Sequence, residues 1–346
     1  MKRVLAAVTA LLLPLVLVTA CSSGDSGSTA SESAAPADLT VYSGRTENLI
    51  SPIIDQFEQA TDINVDVRYG DSADLALLIE QEGDRSPADV FISQSPGAIG
   101  YLTDKGRLSQ VDAETLKLVD PEFRNKDGQW VGFSGRVRAL VYNTDQVDPK
   151  TLPASVFDLT KPEYAGKVAL APTNGSFQDF VTAMRLQEGD AVTEEWLKGM
   201  ADNGSPTYAD NTSIVQAVGR GEVPMGLVNH YYNERALAED PTLPTANYFF
   251  DSGDVGSLVI TTAIGILKST DNEKDAQKLA KFLLAAEAQE FFSNETFEYP
   301  LAKGAQAKPE LPQLDEINTT TFDLDTLGGG LETTLQMIEA SGLTTG

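Results

Sequence analysis

The chain has 346 residues and is strongly acidic, with 51 Asp and Glu against 25 Lys and Arg and a formal net charge of −26. This charge argues against nucleic-acid binding, because it would repel the phosphates. One histidine, His230, and one cysteine, Cys21, exclude an intrachain disulfide and a zinc site built on several His or Cys ligands. No Gly-x-Ser-x-Gly, His-Glu-x-x-His, Cys-x-x-Cys or glycine-rich phosphate loop occurs. We therefore expect a protein that is not an enzyme.

Residues 1–20 have the features of a signal peptide. Lys2 and Arg3 precede an uncharged run of Ala, Val and Leu, which is shorter than the roughly 20 apolar residues that a membrane span needs. The segment Leu-Val-Thr-Ala before Cys21 resembles the bacterial lipobox, which implies that Cys21 is lipidated. Residues 21–38 are then the lipidated cysteine and a flexible Ser-, Ala- and Gly-rich tether. We expect an exported protein anchored to the outer face of the cytoplasmic membrane.

The folded part begins near Leu39 with alternating strand and helix patterns. The predicted elements are a strand at Leu39–Tyr42, a helix with Leu49, Ile50, Ile53, Ile54 and Phe57 on one face, a strand at Ile63–Val67, a helix around Leu75–Ile79, and a strand at Ala88–Ile92. This order predicts a mostly parallel sheet flanked by helices. Ligands of such sheets bind beyond the carboxyl ends of the strands.

A second unit of similar character follows. Its predicted elements are a strand at Lys167–Ala171, helices at Phe177–Leu186, Thr193–Met200 and Ser213–Val218, a strand at Val223–Val228, a strand at Ser257–Leu267 and a long amphipathic helix at Asp275–Phe291. The sequence shows no short internal repeat.

Two predicted strands join the units, at Trp130–Asn143 and near Ser257–Thr262. Two strand crossings between two α/β units make a natural hinge. We therefore predict a two-lobed α/β clamp in which each lobe is a mostly parallel sheet flanked by helices. The N-terminal lobe comprises residues 39–138 and about 259–300, and the C-terminal lobe comprises residues 139–258 and about 301–346.

The pair Tyr231–Tyr232 ends an apolar strand and precedes a predicted helix at Asn233–Glu239. A phenol titrates near pH of about 10, so a metal must drive its deprotonation. Ferric iron is hard, highly charged and suited to anionic oxygen, and its binding is coupled to ligand deprotonation. Adjacent aromatic residues are also a common packing pair, so spacing alone leaves both interpretations open.

Several motifs in the same order resemble the ferric-ion-binding proteins of bacterial iron ABC transporters. They are VYSGR at Val41, EGDRSPADVF at Glu82, SGRVRALVYNTD at Ser134, PTNGSF at Pro172, NTSIVQAV at Asn211, LVNHYY at Leu227, GDVGSLV at Gly253 and EYPL at Glu298. The resemblance runs from about Leu39 to Tyr299 and implies a type II periplasmic-binding-protein fold. It also implies that Tyr231 and Tyr232 bind Fe(III) in the cleft between the lobes, and that a monomer delivers the iron to an ABC permease.

The chain departs from this family at four ligand positions. Thr46 and Gln94 replace a histidine and a glutamate of one branch, and Glu47 and Phe177 replace two tyrosines of another. Of these four, Glu47 offers a carboxylate that suits a hard cation, although it could instead be a solvated acid in the first turn of a helix. The predicted metal ligands are therefore Tyr231, Tyr232 and Glu47.

Three protein ligands leave an octahedral ion incomplete, and the resemblance implies a synergistic anion, carbonate or phosphate. The matching anion positions are Asn174, Gly175, Ser176, Asn211 and Asn229. Arg45, Arg136 and Arg138 add positive charge that fits such an anion bidentately, and the last two share one face of a strand. One of these arginines could instead pair structurally with an acid.

Two other functions stay open on the sequence alone. The arginines and amides would also serve an organic anion, such as a phosphonate or a sugar phosphate, or a ferric chelate. A secreted hydrolase would need His230 as its base, and no partner nucleophile lies at motif spacing.

Overall fold

The computed structural model describes residues 37–251, 253–312, 314, 317 and 323–343. The predicted signal peptide, Cys21 and the tether as far as Pro36 lie outside the described residues. The strands β1 to β9 are Leu39–Ser43, Val65–Tyr69, Val90–Ser93, Trp130–Asn143, Val168–Ala169, Met225–Asn229, Thr245–Tyr248, Val259–Ile266 and Tyr299–Pro300.

Helices separate most of these strands, as the α/β prediction requires. The helices α1 to α11 are Glu47–Thr61, Ser72–Glu82, Pro96–Asp104, Ala113–Leu116, Gly175–Glu188, Asp190–Asp202, Asn211–Gly219, His230–Glu239, Glu273–Phe282, Ala286–Asn294 and Leu331–Ser341. Within the described chain, no helix combines the length and the apolarity that a bilayer crossing needs.

Alternate residues of the first strands enter two different cores. Val41 and Val90 pack with α1, α9 and α10 on one face of the sheet, whereas Tyr42 and Phe91 pack with α2 and α3 on the other. The predicted apolar face of α1 is buried in full. Helices therefore cover both faces of this part of the sheet, which is typical of α/β proteins.

The strands are hydrogen-bonded in the order β2-β1-β3-β8-β4-β6-β5, and β7 and β9 add to β4. The pairs β1–β2, β1–β3 and β5–β6 are parallel, as predicted. Strand β4, which joins the two parts of the sheet, and its neighbour β8 run antiparallel to the strands beside them. The sheet is thus mixed, because a strand that returns from one part to the other reverses its direction.

Strand β4 is shared by both parts of the sheet. Residues Trp130–Val137 pair with β8, and Arg138–Tyr142 pair with β6. The change of partner falls between Val137 and Arg138, one residue before the predicted lobe boundary after residue 138. The chain from Ala37 onward packs as one compact unit, so the division into two lobes stays a prediction.

The long helix predicted at Asp275–Phe291 is two helices, α9 and α10. The chain leaves the helical conformation at Leu283–Ala285, where the sequence has no glycine or proline. The buried side chain of Gln289 donates hydrogen bonds to the carbonyl oxygens of Leu283 (2.7 Å) and Phe133 (2.8 Å). A tertiary contact therefore satisfies the carbonyl that the break releases, and local sequence could not reveal it.

The C-terminal segment contacts both parts of the molecule. The turn Leu324–Gly330 packs on α3, and Asp325 accepts a hydrogen bond from the Lys126 amide at 2.8 Å. Helix α11 packs on α5 and α6, where Thr334 and Thr182 share a hydrogen bond of 2.7 Å.

Candidate functional site

Tyr231 and Tyr232 lie in the first turn of α8, directly after β6 ends at Asn229. The strand prediction ended close to this point, but the helix begins at His230 rather than at Asn233. The two rings are stacked, with centroids 4.1 Å apart and an interplanar angle of 29°. A helix N-terminus favours negative charge, so this position suits two phenolates.

Arg45 connects the start of the chain to this tyrosine pair. Its Nη1 donates a hydrogen bond to the phenol oxygen of Tyr231 at 3.2 Å, and its guanidinium carbon lies 5.6 Å from the ring centroid. Gly44 shapes the loop that carries Arg45, because a Cβ there would lie 1.8 Å from Oγ of Ser72. The loop therefore approaches α2 more closely than any other residue would allow.

Glu298 holds the other end of Arg45. Its Oε2 accepts a hydrogen bond from Nη2 of Arg45 at 2.6 Å and from Thr296 at 3.0 Å, and its Oε1 accepts from Ser134 at 3.1 Å. Nη1 of Arg136 lies 3.9 Å from the same carboxylate, and all three charged side chains are buried. The sequence prediction missed Glu298, although a lone acid in the aromatic run before β9 was a usable signal.

The electrostatics of this cluster keep the phenol of Tyr231 protonated without a cation. Burial and the neighbouring Tyr232 raise the pKa of Tyr231 well above its ordinary value, against the opposing effect of Arg45. Burial alone would lower the pKa of Arg45, but Glu298 and Tyr231 raise it, so its positive charge is fixed. Deprotonation of Tyr231 therefore needs additional positive charge at the phenol oxygen.

Arg136 and Arg138 lie on one face of β4, two residues apart. Nη1 of Arg136 donates to Oγ1 of Thr262 at 2.6 Å, and Nη2 of Arg138 donates to the Leu227 carbonyl at 3.1 Å. Burial lowers the pKa of both, that of Arg138 to about 9, so both stay protonated at neutral pH. Phe177 lies in the aromatic core under Arg138, 5.7 Å from its guanidinium.

Four of the predicted anion residues meet beside Arg138. Asn174 caps α5, and its Oδ1 accepts from the amide and the hydroxyl of Ser176 at 3.1 and 2.6 Å. Nδ2 of Asn211 donates to the same oxygen at 3.3 Å, and Nη1 of Arg138 lies 3.5 Å from Oγ of Ser176. Gly175 is the first residue of α5. The fifth predicted residue, Asn229, is the register partner of Arg138 across β4 and β6.

Many buried polar atoms here have no hydrogen-bond partner in the part of the chain that the structure describes. They are Nε of Arg45, Arg136 and Arg138, Nη2 of Arg136, Oδ1 of Asn211 and both amide atoms of Asn229. Buried polar groups in native proteins are nearly always paired, because an unpaired one costs about 1–3 kcal/mol. Most of these atoms are donors, so they are suited to an acceptor such as an anion.

Glu47 is the exposed first residue of α1, and no hydrogen bond in the described chain joins it to either phenol. Burial is the main cause of the raised pKa of Tyr69, and the charge of Glu47 raises it further. The next two residues nevertheless reach the tyrosines: Leu49 packs in their core, and Asn48 lines a cavity of about 170 Å³ with Tyr232. Larger cavities of about 370 and 520 Å³ lie elsewhere and contain no predicted site residue.

The remaining candidate ligands do not form a metal centre of another kind. Among the described residues, no group of three or more His, Cys, Asp and Glu could hold a metal ion. Nδ1 of His230 accepts from the Val137 amide at 3.2 Å, so its Nε2 carries the proton and donates to the Phe297 carbonyl at 3.0 Å. Burial lowers the pKa of His230 to about 4, and the ring is a neutral structural link. Gln94 is buried, and its backbone N–H donates a hydrogen bond to Oγ of Ser72 at 3.0 Å.

Comparisons with known proteins agree with this arrangement. The family model for bacterial extracellular solute-binding proteins matches residues 85–324. The chain is 32% identical over 295 residues to the Fe(3+)-binding periplasmic protein of Serratia marcescens, which covers 84% of this chain and 87% of that protein. Iron-bound HitA from Pseudomonas aeruginosa superposes with a TM-score of 0.85 at 34% identity, covering 89% of this chain and 100% of HitA.

A third relative is a ferric iron-binding protein A from Mannheimia haemolytica, solved in an open conformation. It superposes with a TM-score of 0.70 at 25% identity and covers 88% of this chain and 98% of its own. These matches confirm the predicted α/β fold class of the periplasmic binding proteins. The chain therefore belongs to the bacterial extracellular solute-binding proteins, which are transport proteins and not enzymes.

Proposed function

We propose that this protein captures ferric iron outside the cytoplasm and delivers it to an ABC permease. The observation that carries the proposal is the stacked pair Tyr231–Tyr232, whose first phenol receives a hydrogen bond from the buried Arg45. Relatives that bind ferric iron, in Serratia marcescens and Pseudomonas aeruginosa, support the choice of metal.

The two phenolates and the carboxylate of Glu47 are the proposed protein ligands. Fe(III) supplies the positive charge that the phenol of Tyr231 needs to lose its proton. Glu47 stands between Arg45, which contacts Tyr231, and Asn48, which lines the cavity with Tyr232. Its exposed carboxylate is free to turn toward an ion held by the tyrosines.

An anion, carbonate or phosphate, completes the proposed site. Three guanidinium groups and one carboxylate leave two positive charges unbalanced in the buried cluster. Fe(III) with two phenolates and the Glu47 carboxylate adds no net charge, so the two positive charges of the buried cluster would stay unbalanced without an anion. The unpartnered guanidinium nitrogens of Arg45, Arg136 and Arg138 and the amide of Asn229 supply the donors.

The two-lobed clamp is part of the same proposal. Strand β4 crosses between the two parts of the sheet, and β8 begins beside that crossing, where Val259 pairs with Val137. The open conformation of the Mannheimia haemolytica relative supports opening in this fold. We also propose that Cys21 carries a lipid that anchors a monomer to the outer face of the cytoplasmic membrane, with residues 22–38 as the tether.

The visible spectrum tests the iron site. A soluble form that begins at Ser22 should turn coloured with ferric citrate, because phenolate-to-iron charge transfer absorbs visible light. Tyr231→Phe and Tyr232→Phe should bleach the band, whereas Tyr164→Phe, remote from the site, should not. A parent protein that stays colourless and whose melting temperature does not change with iron would contradict the proposed iron site.

The role of Glu47 needs its own variant. Glu47→Gln should weaken iron binding about tenfold without lowering the melting temperature, because the side chain is exposed. Asp55→Asn, at an exposed position on the same helix, is the matched control. Equal affinity of Glu47→Gln and the parent would remove Glu47 from the ligand set.

The second candidate is a carrier of an organic anion or of a ferric chelate. The unpartnered guanidinium nitrogens favour it, because they fit a phosphonate or a sugar phosphate without any metal. A melting temperature raised by such a compound in metal-free protein, and not by ferric citrate, would select this candidate.

A further inference from the structure

A carboxylate from one part of the fold caps a helix from the other part. Asp179 lies on α5, and its Oδ2 accepts a hydrogen bond from the amide of Gly97 on α3 at 3.2 Å, 82 residues away. The Ser95 hydroxyl is a second donor to this carboxylate. Ser95 is the N-cap residue of α3, yet its side chain makes no capping bond to that helix. The first turn of α3 therefore takes its cap from α5.

The two helices approach each other through small residues. A Cβ on Gly97 would lie 2.2 Å from Oδ1 of Asp179, and a Cβ on Gly175 would lie 3.6 Å from Oγ of Ser95. Asp179 is only 1% exposed. The contact thus exists only while α3 and α5 are docked, and a side chain at Gly97 would displace the Asp179 carboxylate from the helix end.

We propose that Asp179 is a latch that holds the two lobes closed over the cargo. Helix α3 lies in the predicted N-terminal lobe and α5 in the predicted C-terminal lobe, so this inference rests on the proposed clamp. In an open protein, water satisfies the Gly97 amide and the Asp179 carboxylate separately. In the closed protein they satisfy each other, and a carboxyl at a helix N-terminus adds a favourable interaction with the helix dipole.

The latch also makes closure depend on pH. Burial raises the pKa of Asp179 to about 7, against the hydrogen bonds from Gly97 and Ser95 and the charge of Arg136 on β4. Arg136 is the charged group that faces Asp179, since α3 contributes only the Ser95 hydroxyl and the Gly97 amide. A solvated aspartate in the open state titrates at about 4. The closed state therefore binds the proton more tightly, and closure is favoured as the pH falls below about 7.

Distances between two spin labels measure closure directly. The soluble form from Ser22 onward has no cysteine, so labels can be placed at Glu194→Cys on α6 and Lys274→Cys on α9, both exposed. Ferric citrate is titrated at pH of about 6 and about 8.5, on either side of the pKa of the latch. If the parent does not close with iron, the proposed function fails, whatever the variants do.

If the parent closes, the variants test the latch. Gly97→Ala should need about tenfold or more iron for half-closure, although alanine favours the helix itself. At pH of about 6, Asp179→Ala should show a similar loss, and the double variant should be no worse than Asp179→Ala, because its clash is relieved. Tyrosine deprotonation favours iron-driven closure at the higher pH, whereas the latch favours closure at the lower pH, so Asp179→Asn should enlarge the advantage of the higher pH.

Asp104→Asn, at the exposed end of α3, is the control and should close like the parent. Asp179→Ala keeps the test decisive if Gly97→Ala does not fold. Closure of Gly97→Ala and Asp179→Ala at the iron concentration of the parent would overturn the latch and leave the proposed function intact.

Discussion

Arg45 donates a hydrogen bond of 3.2 Å to the phenol oxygen of Tyr231, a residue 186 positions further along the chain. Glu298 fixes the other side of the guanidinium at 2.6 Å. Arg45→Gln should therefore act twice. It removes the charge that opposes the raised pKa of Tyr231, so iron binding should weaken by about tenfold or more. It also removes the shortest ion pair of the buried Glu298, leaving only Arg136 at 3.9 Å as a charged neighbour, at a cost of about 3 kcal/mol in the free energy of unfolding.

A second substitution separates these two effects. Arg45→Gln combined with Glu298→Gln removes the unpaired carboxylate and should recover most of the lost stability in urea unfolding, but not the iron affinity. Arg68→Gln is the control, since Arg68 contacts the ring of Tyr42 away from the site. Full iron affinity in Arg45→Gln would show that this hydrogen bond does not serve the phenolate.

The number of protons released when iron binds should equal the number of tyrosine ligands. The pKa of Tyr231 is raised well above its ordinary value, so at neutral pH this phenol is protonated before iron arrives. Each phenol that becomes a ligand gives up one proton, and the apparent affinity should rise with pH by about tenfold per unit for each. Calorimetry in buffers of different ionisation enthalpy should find about two protons for the parent and about one for Tyr231→Phe. A count that does not change in this variant would exclude Tyr231 as a phenolate ligand.

The sequence predicted the elements whose pattern is decided locally. The apolar face of α1 and the full length of β4, Trp130–Asn143, agree with the structure. The face of α1 follows from the helical spacing of its apolar residues, and β4 is buried over nearly its whole length. The position of Tyr231 at the carboxyl end of β6 followed from the same pattern. The start of α8 at His230 did not, because no side-chain cap marks it.

What sequence reasoning missed depends on contacts between distant parts of the chain. Glu298 and Asp179 are acids whose partners, Arg45 and Gly97, lie far away in the sequence. The break between α9 and α10 is likewise supported by Gln289 and by no local breaker. These contacts form only when distant parts of the chain meet in the folded protein, so local periodicity and turn residues cannot predict them.

Gln289 should be one of the most sensitive core positions. Its buried amide donates to the carbonyls of Leu283 and Phe133 and accepts from the amides of Leu301 and Ala302, all within 2.8 Å. Gln289→Leu keeps the size but leaves four backbone groups without a partner, so urea unfolding should show a loss of about 3 kcal/mol or more. Gln277→Leu, on the exposed side of α9, removes two solvent-facing bonds and should cost less than about 1 kcal/mol. Similar costs for the two variants would contradict a special role for Gln289.

His230 should make the fold sensitive to mild acid. Its pKa is about 4 in the folded protein because it is buried, whereas an unfolded histidine titrates at about 6.5. The folded state therefore binds the proton less tightly, so this residue's contribution is complete above pH of about 6.5 and is lost as the pH falls toward 4. Between pH of about 7 and 5 the loss should be about 2 kcal/mol in the free energy of unfolding.

The variant His230→Asn isolates this contribution from that of the many carboxylates. Asparagine keeps an acceptor for the Val137 amide but cannot bind a proton, so the variant should be less stable than the parent at neutral pH and should lose less stability on acidification. The difference between the two urea-unfolding curves as a function of pH is the measurement. Parallel pH profiles would mean that His230 does not stay neutral in the folded protein. Because Nδ1 of His230 holds Val137 at the point where β4 changes partners, protonation would loosen the strand crossing that the proposed hinge uses.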